Sequence, residues 1–389
     1  MKGSLAVGDI SVVAMTSPLL RPVLHSVDLL DRSECGHLSE IWHDFSVYRP
    51  SSDPHRQYRP PIRKRPRAVP SPKSVPQGAK FEFRSSLSPR FDAGQNFVRT
   101  GGRFGRTEEK GTVARARTDY FREIYATRDL VFAPGIGFLM DHPRLVALAQ
   151  GLFGLPVVEP ILVYANLLLP GQELGLHTDI PEFRLAPGVI PPAWLRVVMC
   201  HSGLFERWRL AVATVIVYLG RDSHGGALAF FPEGAQGPAA TIRPREGEAV
   251  ALDADTIFHG VDRVGALEQA APKVVPASKV IHLGEGRWSL ERPDTSGPVE
   301  VSRYTSEELR FSASWKGCCF ADAEERDRWD CHSDDLPTGT IIGTLTSELV
   351  ARGRLAQDAE ISNDDLGRLL VDEFVRFPAA DPMGNPADR

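Results

Sequence analysis

The strongest constraint on this chain is a change of texture at Pro160. From there to Trp315 it runs as short stretches rich in β-branched and aromatic residues, broken by Gly and Pro: Ile161 to Leu169, Ala211 to Leu219, Ala227 to Phe231, Thr241 to Arg243, Glu248 to Leu252, Lys279 to Leu283 and Leu309 to Trp315. Many short strands separated by turn residues predict a sandwich or barrel. The flanks read as helical. Residues 27–45 place Leu29, Leu30, Leu38, Ile41 and Trp42 at roughly helical spacing, and Asp119 to Ala126 and Asp141 to Leu152 give two further helices, the latter with Asp141 as N-cap ahead of His142 and Pro143. Ser347 to Phe377 returns to helical texture, with apolar faces supplied by Leu349, Leu366, Leu370 and Phe374. The expected organisation is an N-terminal helical segment over 1–53, a connector over 54–110 and a main domain over 111–389. Within that domain a barrel spans about 160–320 and C-terminal helices about 345–377.

Composition narrows the class. With 42% hydrophobic and 24% charged residues, the 389-residue chain is ordinary globular material. It holds no run of about 18 apolar residues, so no spanning helix is expected. Ser4 to Leu20 is interrupted by Asp9 and Pro18, a poor secretory core, and five cysteines are an odd number; both point to reduced thiols in a cytoplasm. The net charge of −5 offers no global attraction for nucleic acid or an anionic membrane. One local exception is residues 54–81, where eight basic residues and seven prolines occur with no acidic one. Prolines block helix and central strand alike, so this segment reads as a surface connector, with a nucleic-acid arm as the less favoured reading. Gly101, Gly102 and Gly105 do not form a dinucleotide turn, and no strand precedes them.

Two imidazoles and one carboxylate on one face of a metal leave its other positions open for further ligands. The signal of such a site is H-x-D with a distant His. With 11 histidines and 50 acidic residues, chance alone supplies one or two H-x-D/E matches, and two are present: His177-Thr178-Asp179 and His332-Ser333-Asp334. The second lies in a polar stretch with no strand before it and reads as loop. The first follows the strand Ile161 to Leu169 and the turn Pro170-Gly171, where a barrel mouth displays side chains. His259, closing the stretch from Glu248, is the preferred third ligand; His224 sits in a Gly-rich turn and His282 inside a strand.

The run Gly171-Gln172-Glu173-Leu174-Gly175-Leu176-His177-Thr178-Asp179 resembles the G-x-x-L-x-x-H-x-D stretch of the Fe(II)/2-oxoglutarate-dependent oxygenases, and Phe258-His259-Gly260-Val261 resembles their distal-His strand. Their last core strand carries an Arg, often as R-x-S, for the far carboxylate of 2-oxoglutarate, and Leu309 to Lys316 is similar to it. That octet alternates strictly, with Arg310, Ser312, Ser314 and Lys316 on one face. A guanidinium grips a carboxylate with two parallel hydrogen bonds, so Arg310 and Ser312 are the expected co-substrate residues. Arg287 competes, because the gap from His259 to Arg310 is longer than usual and reads as an inserted hairpin. The resemblance spans about residues 160–320. It implies a double-stranded β-helix, a cupin-like jelly roll, in which His177, Asp179 and His259 hold Fe(II). Dioxygen would convert 2-oxoglutarate to succinate and carbon dioxide as a substrate is hydroxylated, desaturated or cyclised. Asp179 fills the place where halogenating relatives carry a small residue, which disfavours halogenation.

Tyr164 and Asn166 share a face of the strand before the motif and are expected to bond the co-substrate; Thr214, Ile216 and Tyr218 alternate likewise on the next strand. The insertion from Phe183 to Trp208 reads as a substrate lid. Its Arg184 and Arg196, with Trp194 and also Tyr218, are the expected substrate contacts, and the arginines point to a small carboxylate-bearing metabolite. The alternatives are a hydroxylase of protein or nucleic acid using the basic arm, and a metal-free barrel serving as a binding module. Cys318, Cys319, Cys331 and His332 lack the paired spacing of a zinc site. The oligomeric state is not encoded in any motif.

Overall fold

Strict alternation in the octet ending at Lys316 builds the centre of the molecule. The computed structural model describes residues 2–7, 10–15, 22–51, 61–64, 81–94, 118–186, 188–220, 225–243, 245–266 and 269–378, with 2–7, 10–15 and 63–64 as backbone only. The octet forms most of strand β18 (Arg310–Phe320). This strand lies between β10 (Ala211–Leu219) and β8 (Val157–Leu168), antiparallel to both. The sheet extends past β10 through β13 (Ala249–Leu252), β3 (Val23–Ser26), β2 (Ile10–Met15) and β1 (Lys2–Val7). Past β8 it extends through β6 (Phe121–Thr127), β7 (Leu130–Val131) and β5 (Arg63–Lys64).

One face of this sheet is covered by helices. Phe311, Ala313 and Trp315 pack with Val163, Ala165, Val215 and Val217 against α1 (Arg32–Phe45) and α2 (Pro143–Phe153). The Trp42 ring stacks 4.3 Å from Phe311, and Trp315 Nε1 donates to Met140 O at 2.9 Å. Burying each such aromatic stabilises by about 1.5–3 kcal/mol. The other face meets a second sheet in the order β12 (Ala240–Ile242), β11 (Leu228–Phe230), β14 (His259–Val261) and β9 (Leu174–His177). Ile216, Tyr218, Val250 and Leu252 of the large sheet pack there on Leu228, Phe230 and Ile257. Register aligns Ser312 with Tyr218 and Asn166, and Ser314 with Ile216 and Tyr164, so the polar face of β18 lies between the two sheets.

The long interval between β14 and β18 is a separate sheet: β15 (Lys279–Gly284), β16 (Arg287–Asp294) and β17 (Gly297–Thr305), joined by β4 (Val47–Tyr48). It packs on α1 through Trp288, 5.1 Å from Trp42. A second apolar cluster joins α3 (Ala193–Ser202), α5 (Ile341–Ala351) and α6 (Asn363–Phe374) to Leu176 of the small sheet and to Phe231 and Phe258, which flank its strands; the short α4 (Ala323–Asp330) follows β18.

Three expectations need correction. Asp119 to Ala126 holds the strand β6 (Phe121–Thr127): Phe121, Ile124 and Tyr125 have helical spacing, but pairing with β8 overrides it and buries Phe121 and Tyr125 on one face. The first 53 residues are only partly helical, since β1 to β3 extend the large sheet ahead of α1. The N-cap of α2 is His142 rather than Asp141; its Nδ1 accepts from Arg144 N at 3.2 Å. Most of the basic segment 54–81 and the glycines at 101, 102 and 105 lie outside the described residues. No helix among the described residues is long and apolar enough to cross a membrane.

Candidate metal centre

Antiparallel pairing of β9 with β14 sets His177 directly opposite His259, their rings 4.5 Å apart. Gly260 permits this approach, since a Cβ there would stand 2.6 Å from Leu174 O. Just beyond β9, Asp179 N donates to Ala254 O at 2.7 Å and turns the carboxylate back toward the rings. Its Oδ1 lies 3.7 Å from His177 Nε2 and 3.9 Å from His259 Nε2. One ligand atom from each of the three residues falls within 4.8 Å of the others, the one such group among the described residues.

The imidazoles are oriented for ligation. His177 Nδ1 bonds Gly175 O at 2.8 Å, and His259 Nδ1 bonds Ile257 O at 2.9 Å. A carbonyl only accepts, so each Nδ1 carries the proton and each Nε2 presents a lone pair toward Asp179. Burial, reinforced by His177, pushes His259 down to about 4 and keeps it neutral at physiological pH. Burial alone would raise Asp179, but the Lys316 ammonium beside it holds it well below the usual carboxylate range. Lys316 Nζ donates to Asp179 Oδ2 at 2.7 Å, leaving Oδ1 for the histidine side. Sequence reasoning placed Lys316 on the same face as Arg310 without giving it a role.

Farther along that face Arg310 is 5% exposed. Its Nε donates to Gly226 O at 2.8 Å, and its guanidinium lies 5.3 Å from the Tyr218 ring. Gly226 is required: φ is +69° and a Cβ would meet Arg310 Cδ at 2.8 Å. Arg310 Nη2, Tyr218 Oη, Asn166 Oδ1 and Thr214 Oγ1 are all buried without a well-formed hydrogen bond, while Asn166 Nδ2 donates to Ser314 Oγ at 3.2 Å. Buried donors and acceptors without partners are costly. The polar face of β18, with Ser312 also buried, is therefore suited to a polar ligand carrying an anionic end. Arg287 is excluded from this interior: its side chain is 63% exposed on the inserted sheet and pairs with Glu285 at 3.0 Å.

A cavity of about 470 Å3 opens beside the triad, with His177, Asp179, Lys316 and Arg196 on its wall. Of the expected substrate contacts only Arg196 lines it, paired with Glu182 at 3.0 Å. Trp194 is fully buried in the helical cluster, and Tyr218 lies in the interior beside Arg310. Arg184 is buried against Asp334 and the Arg207 carbonyl, at 3.3 and 2.6 Å. The insertion is thus less a lid than a packed helix with a clasp. Arg90, Tyr120 and Arg122, also on the cavity wall, escaped sequence reasoning because the pairing of β6 with β8 and the Arg90 contact to Thr178 O bring them in from far upstream. His282 stacks on His43 at 4.5 Å in the inserted sheet, apart from the triad. His332 bonds Asp335 at 3.2 Å, and His224 lies outside the described residues.

No protein-family model and no curated protein matches the chain. Solved structures similar to it include EvdO2 from Micromonospora carbonacea var. aurantiaca complexed with 2-oxoglutarate, 11% identical over 87% of this chain and 98% of that one, with a TM-score of 0.36. Another is the non-haem alpha ketoglutarate dependent epimerase SnoN from nogalamycin biosynthesis, 13% identical over 76% of each chain, TM-score 0.34. A third is a 2OG-Fe(II) oxygenase family oxidoreductase from Burkholderia pseudomallei, 14% identical over 51% of this chain, TM-score 0.30; the match spans 66% of that protein's length, just under two thirds.

Proposed function

We propose that this chain is an Fe(II)- and 2-oxoglutarate-dependent oxygenase on a double-stranded β-helix, oxidising a C–H bond of a small molecule. The observation that carries the proposal is the convergence of two imidazole Nε2 atoms and one carboxylate oxygen, each side chain held by its own backbone or Lys316 contact. Two imidazoles and one carboxylate suit a non-haem iron and leave other positions open. Arg310 is buried on a polar-lined face beside the Tyr218 hydroxyl, with no well-formed hydrogen bond at Nη2, so the residues present also fit a dicarboxylate. When bound, iron and 2-oxoglutarate supply the oxidising power drawn from dioxygen. The chain's residues do the rest: His177, Asp179 and His259 fix the metal, Lys316 holds Asp179 Oδ2, and Arg310 with Ser312 takes the far carboxylate. Tyr164 and Asn166 stand on the neighbouring strand in register with Ser314 and Ser312. A direct check is calorimetric titration with Fe(II) under nitrogen, for which one equivalent in the wild type and none in a His259→Ala variant is the expected result. Equal binding by both proteins would remove the proposal.

A further inference from the structure

The peptide that joins Thr178 to the ligand Asp179 is held at both of its polar atoms. Its N–H donates to Ala254 O at 2.7 Å, and its carbonyl, Thr178 O, accepts from Arg90 Nη2 at 2.7 Å. A peptide is planar, so fixing both of these atoms fixes the direction in which the Asp179 side chain leaves the backbone. Arg90 is held in turn by Asp92, a fully buried carboxylate that accepts from Nε at 3.1 Å and from Nη2 at 2.9 Å. Nη2 thus spends one hydrogen on Asp92 and the other on Thr178 O. The pairing also has an electrostatic consequence: an unpaired guanidinium beside Asp179 would oppose a bound cation, and the Asp92 charge offsets it.

Arg90 and Asp92 belong to the segment 81–94, which is docked as a strap. Phe81, Phe83, Leu87 and Phe91 pack on the helical cluster. At the start of α6, Asp364 Oδ1 accepts from Ser86 N at 2.7 Å and Asn363 Nδ2 donates to Arg84 O at 2.8 Å; from α3, Trp194 N donates to Pro89 O at 3.0 Å. Gly367 of α6 makes room for the strap, since a Cβ there would stand 2.6 Å from Leu87 Cδ1. Past Asp92 the same segment supplies Ala93 and Gly94 to the cavity wall.

Resting on the metal-centre reading above, we infer that Arg90 is a positioning residue of the centre: carried on a strap docked against α3 and α6, it clamps the Thr178–Asp179 peptide and so aims the carboxylate at the two imidazoles. Asp92 keeps Arg90 in place and balances its charge. The centre is then complete only with the strap docked, although Arg90 lies 88 residues from Thr178 in sequence.

The test uses the full chain and two readouts. The first is titration with Co(II) under nitrogen, because the visible bands of Co(II) report ligand geometry. Arg90→Gln should weaken Co(II) binding by about tenfold and alter the bands, and Arg90→Lys, which keeps the charge and one donor, should recover part of both. Arg128→Gln, which breaks the ion pairs to Glu159 and Asp330 away from the cavity wall, should lower the melting temperature and leave affinity and bands as in the wild type. The second readout is amide exchange of the metal-free protein, in which the Asp179 amide should exchange about tenfold faster in Arg90→Gln while the amides of β10 keep their wild-type rates. The inference is overturned by wild-type Co(II) affinity and bands in a folded Arg90→Gln protein, by a loss that Arg128→Gln reproduces, or by an unchanged Asp179 exchange rate. If Arg90→Gln does not fold, Arg90→Lys decides: intermediate affinity with altered bands is expected, and wild-type behaviour overturns the inference. A wild-type protein that takes up no Co(II) would instead count against the metal-centre reading, and the exchange rate of Asp179 would still judge the clamp.

Discussion

His177-Thr178-Asp179 ends a strand and is paired across the sheet with the strand that begins at His259. His332-Ser333-Asp334 follows the last turn of α4, with His332 at a left-handed φ of 55°. The two tripeptides share one pattern and have opposite surroundings. In the first, backbone carbonyls orient both imidazoles and a neighbouring strand delivers the third donor. In the second, His332 bonds Asp335, and Asp334 receives Arg184 at 3.3 Å and Arg207 at 3.4 Å. A ligand set needs converging lone pairs that the protein has not already used; a carboxylate matched to two guanidiniums is a clasp between loops.

The sharpest way to break this comparison is to remove one carboxylate from each. Asp179→Ala should weaken metal binding by at least a hundredfold, whereas Asp334→Ala should leave it unchanged, as read by metal content after dialysis. Equal losses would show that both tripeptides ligate. The next effect concerns the arginines. Truncating a buried charge partner costs about 2–4 kcal/mol, so Arg310→Ala should raise the dissociation constant for 2-oxoglutarate by roughly 30- to 1,000-fold. Arg287→Ala, on the exposed inserted sheet, should leave it within a factor of two. A smaller change is expected at Lys316: freeing Asp179 Oδ2 in Lys316→Met should weaken metal binding by about tenfold, and tighter binding would show that its charge opposes the metal more than its contact orders the ligand.

The smallest effect is a pH dependence. Asp255 is buried with both carboxyl oxygens unpartnered, and burial pushes it up to about 8 from 3.8. The folded chain then holds a proton that the unfolded chain releases. This contribution to stability is full below about pH 4 and is lost as pH rises toward about 8. Asp255→Asn should flatten that slope, raising the melting temperature at pH 8.5 by roughly 2–4 °C over wild type. Parallel melting curves from pH 5 to 9 would show that Asp255 does not titrate in this range.

Much of this arrangement was legible in the sequence because it depends on local period. The alternation in β18 placed Arg310, Ser312, Ser314 and Lys316 on one face, and Ala211–Leu219 coincides with β10. The distal His emerged because a strand-like run leads to it. Legibility failed where tertiary pairing decides. Asp119 to Ala126 has helical spacing, and only hydrogen bonding to β8 makes it a strand that carries Arg122 to the cavity. Trp194 looked like a lid aromatic because sequence does not show that α3 is covered by α6; in the fold its ring is core. Arg184 carried the right charge for a substrate anchor, and Asp334, distant in sequence, holds it instead.

The most direct measurement is succinate formation from 2-oxoglutarate by purified wild-type, Asp179→Ala and Asp334→Ala proteins, with Fe(II) and oxygen and no added substrate. Iron-dependent succinate from the wild type and Asp334→Ala, and none from Asp179→Ala, is the predicted result. Succinate that persists in Asp179→Ala, or a wild-type protein that takes up no iron and forms none, would contradict it.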